Sequence, residues 1–363
     1  MGHLAGKEEI LEKLRERLHH NPWGLPKHTY VYEILSILFN DQEAEVGTKF
    51  PFGLVTIEEL EKATGIDKGN LEGILKGMMK KGLVVNSVKD NQVRYFLSPG
   101  LVGFFEFTFM RTNESLPMKR LAELMYSYRN TPEMVQELWL SKTNRGKAFI
   151  YSGVLPQVRS EVLRFDEAAE HIKMAGRGGL TKCYCRHETW HLGKNCSAPI
   201  DDICMSLGIA SDFLIEQGFA RKASVEELLT ALKRAEDFGL VHVGDNVQDQ
   251  TTFICNCCGC CCAFLEGINK HQKRALATTN YIARLNQEGC NGCEICVDHC
   301  QIKAIKMEGD YPVVDMESCI GCGVCANFCP TEAMKMGERE KRIIPPKTYK
   351  ELMVRLMQEK GRM

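Results

Sequence analysis

The sequence has no cysteine before residue 183, although it contains 18 cysteines among 363 residues. It also lacks an apolar run long enough to span a membrane, since the best candidate, at 101–110, is short and carries Glu106. The formal net charge of −1 gives no global indication of nucleic acid or an anionic membrane as a partner. Neither a P-loop nor a dinucleotide fingerprint occurs, so no motif indicates a bound nucleotide.

The N-terminal residues are charged and lack the apolar core of a signal peptide, and Gly6 stands where the myristoylation pattern needs serine or threonine. A secreted disulfide framework is therefore not expected, and cysteines clustered in this way indicate metal ligands. We expect a cytoplasmic protein. So many thiolates near iron favour the anoxic cytoplasm of an anaerobic organism.

The first hundred residues show a recognisable order of helices and strands. Helices are predicted near 30–39, from Thr56 onwards and over 68–81, followed by strands at 83–88 and 92–97. Thr56 and Glu59 form a capping box, and Asp90-Asn91 supplies the hairpin turn. This stretch resembles winged helix-turn-helix regulators, a resemblance that implies a DNA-binding fold.

Charge argues against DNA as the partner of this winged-helix-like domain. Residues 27–100 hold nine basic and ten acidic residues, which is not the footprint of a DNA reader. The third helix carries Gly69, Gly73 and Gly77, a smooth stripe with little to read bases and suited to packing on another helix or domain. We therefore expect a scaffold, with DNA binding possible but disfavoured.

The strongest motif is an internal repeat at an offset of 29 residues. Each half has the spacing C-x2-C-x2-C-x3-C, and the eight cysteines are Cys290, Cys293, Cys296, Cys300, Cys319, Cys322, Cys325 and Cys329. Three cysteines on a tight loop can bond three irons of one cubane, while the fourth, expected at the start of a helix, reaches the other cluster. Gly292, Gly321 and Gly323 are expected to let the loops adopt positive φ.

The repeat resembles the bacterial ferredoxins that hold two [4Fe–4S] clusters, over about fifty residues. The resemblance implies that one cluster is held by Cys290, Cys293, Cys296 and Cys329, and the other by Cys319, Cys322, Cys325 and Cys300. One departure exists: Pro330 follows Cys329 as the family expects, whereas Gln301 follows Cys300. Eight structural zinc-binding thiolates are the alternative, but ferredoxin clusters that move single electrons explain the spacing better.

Ten further cysteines lie in the middle of the chain. They are Cys183, Cys185, Cys196, Cys204, Cys255, Cys257, Cys258, Cys260, Cys261 and Cys262. One or two further [4Fe–4S] clusters are expected here. The simplest division gives the first four cysteines to one cluster and four of 255–262 to another, but interleaved ligation is equally allowed.

The C-x-C-R and ICNCCGCCC motifs, followed by a terminal ferredoxin, resemble a group of poorly characterised 4Fe-4S proteins of anaerobic prokaryotes, over residues 180–337. That resemblance implies electron transfer and assigns no substrate. The Cys-Cys-Gly at 257–259 is similar to the heterodisulfide reductase motif, but no cysteine lies thirty to forty residues upstream of it. That interpretation is therefore set aside.

A competing metal motif overlaps the first middle cysteines. Residues His187 to His191 read H-E-x-x-H, the signature of zinc proteases. A zincin needs a free glutamate and a third ligand, whereas soft thiolates crowd this segment and would compete for the metal. We interpret Arg186 and His187 as donors to cluster sulfur or as surface residues.

These observations predict an α+β multidomain chain. Its parts are an N-terminal amphipathic helix at 1–24, a winged-helix-like domain at 27–100, a helical connecting region at 101–180, a mostly helical cysteine-rich iron–sulfur section at 181–284, a two-[4Fe–4S] ferredoxin-like domain at 285–337 and a tail helix at 338–363. Within the middle section, a helix is expected to begin at a capping box of Ser224 and Glu227 and to stop at Gly239. The tail is expected to dock on a partner or on the body.

We expect the protein to relay single electrons through several [4Fe–4S] clusters, as a partner or subunit of an anaerobic oxidoreductase complex. A redox-sensing winged-helix transcriptional regulator is one alternative. A reductase with a substrate-binding cluster within 183–262 is the other. A carrier or subunit fits better than a stand-alone enzyme, and no catalytic residue is identified.

Overall fold

A computed structural model describes residues 2–139, 141–155, 161–194, 196–272 and 276–363. Its first part contains five helices, α1 (Gly2–His19), α2 (Thr29–Leu38), α3 (Asp41–Lys49), α4 (Ile57–Thr64) and α5 (Lys68–Lys81). They are followed by the antiparallel strands β1 (Val84–Lys89) and β2 (Gln92–Leu97). The predicted helices and hairpin of this stretch are confirmed.

Local sequence explains where these elements begin and turn. Glu59 accepts a hydrogen bond from the backbone N–H of Thr56 at 2.8 Å and Thr56 accepts one from the N–H of Glu59 at 3.3 Å, so the predicted capping box is present. Asp90 and Asn91 both have positive φ, as a tight hairpin turn requires. Val55 forms an isolated bridge with Tyr95, which adds a third extended segment to the hairpin.

Most of the glycine stripe on α5 is exposed. Gly69 and Gly73 are exposed, and a Cβ at Gly73 would meet no atom within 4 Å. Of the three glycines, Gly77 alone approaches another element, near the carboxylate of Glu43. The side of α5 that is buried carries Leu71, Leu75 and Met78. Within the described chain Gly69 and Gly73 therefore contact no other helix or domain, and packing of the stripe on a partner stays a prediction.

The connecting region is helical up to residue 139, as expected. After a π-type turn over Gly100–Phe104 come α6 (Phe105–Phe109), α7 (Met118–Arg129) and α8 (Pro132–Trp139). Beyond these helices the chain enters a sheet.

The middle of the chain is built on a seven-stranded sheet. Its strands are β3 (Gly146–Ala148), β4 (Gly178–Thr181), β5 (Cys204–Leu207), β6 (Arg221–Ala223), β7 (Val241–Asp245), β8 (Phe253–Cys257) and β9 (Leu276–Ala277), in the order β6-β4-β5-β8-β7-β3-β9. All neighbours are antiparallel except β3 and β9.

The prediction of a mostly helical middle section is therefore wrong. The strands are two to five residues long, and β4, β5 and β7 are buried at every position. They consequently show no alternation of polar and apolar residues, which is the pattern that identifies a strand in sequence. Two of the strands, β3 and β4, precede residue 181.

Five helices accompany the sheet. They are α9 (Ala168–Ala175), α10 (Tyr184–His191), α11 (Ile209–Glu216), α12 (Val225–Asp237) and α13 (Ala263–His271). The predicted capping box of α12 is present, since Ser224 and Glu227 exchange hydrogen bonds of 2.8 and 3.2 Å. This helix ends just before Gly239, which has positive φ as expected.

The C-terminal part contains two small sheets. β10 (Tyr281–Leu285) pairs with β13 (Met334–Glu338), and β11 (Ile305–Glu308) pairs with β12 (Tyr311–Val314), both antiparallel. The short helices α14 (Ile295–Asp298) and α15 (Val324–Asn327) occupy equivalent places in the two halves of the repeat.

The tail helix α16 (Tyr349–Glu359) packs on the body of this chain. Leu352 and Leu356 are buried in the apolar core that the N-terminal helices form. Glu137 accepts hydrogen bonds from Lys360 at 2.6 Å and from Arg362 at 2.7 and 3.0 Å. In the part of the chain that the structure describes, no helix is long and apolar enough to cross a membrane.

Candidate iron–sulfur centres

The two halves of the repeat present their cysteines on equivalent loops. The first two cysteines of each half precede a short helix, the third lies in it, and the fourth follows it. The expectation that the fourth cysteine begins a helix is wrong, because α14 and α15 end at Asp298 and Asn327. Gly292, Gly321 and Gly323 have positive φ, as expected.

Each fourth cysteine lies beside the other half of the repeat. Cys290, Cys293 and Cys296 line one small cavity together with Cys329. Cys300 in turn neighbours Cys319 and Cys322, and burial raises the pKa of the Cys322 thiol to about 12. The two sets that the ferredoxin resemblance implies are therefore brought together, each as four neighbouring thiols, and Glu294 also lines the cavity of the first set.

Backbone amides support the two fourth cysteines in the same way. The N–H of Ala304 donates to the sulfur of Cys300 at 3.2 Å, and the N–H of Met334 donates to the sulfur of Cys329 at 3.3 Å. Such donors stabilise negative charge on a thiolate and tune the potential of the cluster that it holds.

The ten middle cysteines form two groups. The first, which we call the six-thiol group, consists of neighbouring thiols in the order Cys255, Cys204, Cys183, Cys185, Cys262 and Cys257. The second, the four-thiol group, consists of Cys196, Cys258, Cys260 and Cys261. The thiols are therefore grouped in an interleaved way and not by the simplest division along the sequence, and the ligation of clusters by these groups stays a prediction.

The sheet and two helix N-termini assemble the six-thiol group. Cys204 begins β5 and, in the register that pairs Met205 with Ile254, lies opposite Cys255 on β8. Cys257 lies two residues further along β8 and so shares the face of Cys255. Cys183 and Cys262 are the N-cap residues of α10 and α13, where the helix dipole favours negative charge.

The four-thiol group could hold a metal. The sulfur of Cys196 lies 3.7 Å from that of Cys258 and 3.6 Å from that of Cys260, which lies 3.5 Å from that of Cys261. All four sulfurs fall within 4.8 Å of one another. Zinc–thiolate bonds of about 2.3 Å place tetrahedral sulfurs about 3.8 Å apart, so these distances suit a single tetrahedral ion. Four cysteine thiolates are also the ligand set of a [4Fe–4S] cluster, which would hold the sulfurs further apart.

A buried guanidinium joins the two middle groups. Arg186 is 1% exposed and donates to the carbonyl oxygens of Pro199 at 2.9 Å and Asn256 at 2.7 Å. Burial alone would lower the pKa of Arg186, but the sulfurs of Cys183, Cys258 and Cys204 raise it. A buried cation requires a compensating anion. The thiolates that would hold metal in the six-thiol and four-thiol groups provide that negative charge on both sides of Arg186.

The H-E-x-x-H segment has no free general base. Glu188 is engaged by both terminal nitrogens of Arg129, at 2.9 and 2.7 Å, in a fully buried ion pair. His187 is buried, and its Nδ1 bonds to the carbonyl oxygen of Phe109 at 2.8 Å, so it is not a surface residue. The interpretation of this segment as something other than a zincin agrees with both contacts.

Gln301, the departure from the ferredoxin pattern, anchors the repeat to the middle section. Its side chain accepts from the N–H of Gly259 at 2.7 Å and donates to the carbonyl of Gly239 at 2.9 Å. Its carbonyl oxygen accepts from Asn269 at 3.0 Å, and a Cβ on Gly259 would overlap that oxygen. The sequence analysis noted Gln301 but did not predict this contact with the middle section. The absence of the expected proline at this position is the signal that could have indicated it.

Packing is continuous from the repeat to the six-thiol group. Cys257 and Cys262 belong to one buried apolar cluster with Tyr151, and Cys300 and Cys322 pack against that cluster. The N–H of Tyr151 also donates to the carbonyl of Cys322 at 3.1 Å. The thiols of the second ferredoxin set and those of the middle section therefore share a dry environment.

Comparison with known proteins agrees with this site. The 4Fe-4S binding domain family matches residues 312–335, which include Cys319, Cys322, Cys325 and Cys329. Searches of curated proteins and of solved structures gave no significant match. The family match and the clustered cysteines support an iron–sulfur protein that binds [4Fe–4S] clusters, and electron transfer is the role that they favour.

Proposed function

We propose that the protein is an electron relay, which passes single electrons between the ferredoxin repeat and the six-thiol group. The observation that carries this proposal is the apolar cluster that contains Cys257 and Cys262 and against which Cys300 and Cys322 pack. The path then has three stations: the Cys290 set, the Cys319 set and the six-thiol group. In a cytoplasmic oxidoreductase complex, the exposed Cys293 end of the path is where a redox partner docks.

Metal analysis tests the stations. Cubanes at all three stations require about twelve irons and twelve labile sulfides per chain. The four-thiol group adds one tetrahedral ion, zinc or a single iron, because the spacing of its sulfurs suits a single ion, whereas a cubane there would raise the count by about four irons. Eight irons with no further metal, after anaerobic purification, would remove the middle section from the path.

Electron flow tests the order of the stations. In freeze-quench EPR after mixing with a reduced low-potential donor, signals of interacting clusters should appear across the path. A Cys325→Ser variant, which loses a ligand of the middle station, should slow reduction of the six-thiol cluster. A Cys260→Ser variant, which touches only the four-thiol group, should not. Equal slowing in both variants would contradict the relay.

For the N-terminal part we propose a winged-helix scaffold. The order of helix, Val55 bridge, two helices and hairpin supports it. The tip of the hairpin exposes Val88 and Val93, and apolar side chains there favour a protein surface over phosphate. A gel-shift at stated salt, in both redox states, distinguishes this role from that of a redox-sensing regulator. Specific retention of DNA in one state would overturn the scaffold.

A further inference from the structure

A large apolar cavity lies between the N-terminal part and the sheet. Its volume is about 430 Å³, within the range of small-molecule sites. The aromatic and thioether side chains of its wall include Phe96, Phe107, Met110, Phe213, Phe253 and Phe264. The cavity accordingly suits a flat, mostly apolar molecule of two or three fused rings.

One wall of this cavity belongs to the six-thiol group. Cys204 and Cys255 line it, whereas the other four thiols of that group do not. A ligand here would lie against the edge of the third station that Cys204 and Cys255 form. Electrons arriving at that cluster could pass directly to the ligand.

Two buried hydroxyls in the wall have no hydrogen-bond partner among the described residues. They belong to Ser98 and Ser206, which are 1% and 3% exposed. Buried hydroxyls are nearly always bonded, and both can donate to an oxygen of a ligand. Ser206 lies two residues after Cys204 on β5, so it shares the face that carries the thiol.

The charged groups of the wall argue against a nucleotide cofactor. Lys182 pairs with Asp201, while Arg145 stacks on Trp23 and faces Asp245 at 4.0 Å. Both cations therefore already face a carboxylate, and the described residues of the wall include no further cation for a phosphate. Glu106, also in the wall, is buried, and burial raises the pKa of its carboxyl group, so it can hold a proton.

We propose that the cavity binds an apolar fused-ring quinone and that the cluster at the six-thiol group reduces it. This inference rests on the proposed relay. Two electrons arrive singly from a low-potential one-electron donor through the ferredoxin repeat. Each quinone carbonyl oxygen takes one proton, from Glu106 or from water, and the product is the hydroquinone. The two serine hydroxyls hold the carbonyl oxygens.

Binding is tested on the full protein with menadione as the probe. Anaerobic calorimetry should show saturable binding of one menadione per chain. Ala210→Trp, at the rim of the cavity, should weaken binding by about tenfold or more, equivalent to about 1.4 kcal/mol. Ser206→Ala, which removes one donor, should weaken it by about fivefold. Ile209→Trp, next along the helix, exposed and outside the lining, is the matched control and should bind normally.

A second readout separates this inference from the relay. Protein reduced beforehand and freed of reductant should be reoxidised by menadione more slowly in Ala210→Trp than in Ile209→Trp. Equal binding in these two variants, absent binding, or a tightly bound flavin in the purified protein would overturn the quinone site. If the clusters are reduced normally but menadione does not reoxidise them, the quinone site is overturned and the relay is not. Calorimetry decides the matter even if the clusters fail to pass electrons.

Discussion

The ferredoxin repeat and the middle section hold their sulfurs by different means. In the repeat, one loop supplies three cysteines of each set and the other half supplies the fourth. In the middle section, the six-thiol group gathers side chains from β5, β8 and the beginnings of α10 and α13, over Cys183 to Cys262. Spacing along the chain therefore predicts ligands where a loop wraps its cluster, and not where a sheet assembles the site.

The two regions also neutralise charge differently. The repeat uses backbone N–H groups of Ala304 and Met334, which any sequence can offer. The middle section uses the side chain of Arg186, placed between its two groups. Substitution of the Arg186 side chain should therefore damage the middle section and leave the repeat intact.

Replacing Arg186 with methionine should have the largest effect. It leaves buried thiolates without their cation, a change worth about 3–5 kcal/mol. Iron content should fall toward about eight per chain while the repeat keeps its cubanes. Arg186→Lys, which retains charge, should preserve more iron. If Arg186→Met keeps the iron content and the thermal unfolding of the wild type, the middle section does not depend on a side chain for neutralising its charge.

Gly259→Ala tests the contact between the regions. Its new Cβ would overlap the carbonyl oxygen of Gln301, and such overpacking costs about 1–3 kcal/mol. Denaturant unfolding measures the loss. Gly73→Ala is the control, because space is open there and alanine favours a helix by up to about 1 kcal/mol. Equal behaviour of the two variants would show that Gly259 is not a close contact.

Gln301→Pro restores the proline that the ferredoxin pattern has after the fourth cysteine. It tests whether Gln301 positions the repeat against the middle section. The side chain loses its bonds to Gly259 and Gly239, each worth about 1 kcal/mol. Both cubanes of the repeat should remain in the EPR spectrum, while electron transfer to the six-thiol cluster slows. A normal transfer rate would mean that Gln301 does not position the two regions.

The smallest effect is expected at the tail. Although burial opposes it, contact with Arg362 and Lys360 lowers the pKa of Glu137 from 4.5 to about 2. Because the folded-state pKa is lowered, this stabilisation is fully present above about pH 4.5 and is lost as the pH falls toward 2. Glu137→Gln should reduce hydrogen-exchange protection of α16 at neutral pH, by about 1 kcal/mol or less. A difference from the wild type that persists at low pH would contradict this assignment.

Sequence reasoning succeeded where the signal is local. The capping boxes at Thr56 and Ser224, the Asp90-Asn91 turn and the positive φ of Gly321 all depend on neighbouring residues. It failed where the partner is distant. The short buried strands carry no periodicity, and nothing near Cys196 in the sequence indicates that it joins Cys258.

The close approach of Gly259 to Gln301 determines whether another ferredoxin domain could replace the repeat in this chain. An ordinary ferredoxin, with proline after its fourth cysteine, could not replace residues 285–337 unchanged, because proline has no side-chain amide to accept from the N–H of Gly259 and to donate to the carbonyl of Gly239. A domain exchange must include positions 239, 259, 269 and 301 together. We therefore expect these four residues to be inherited together.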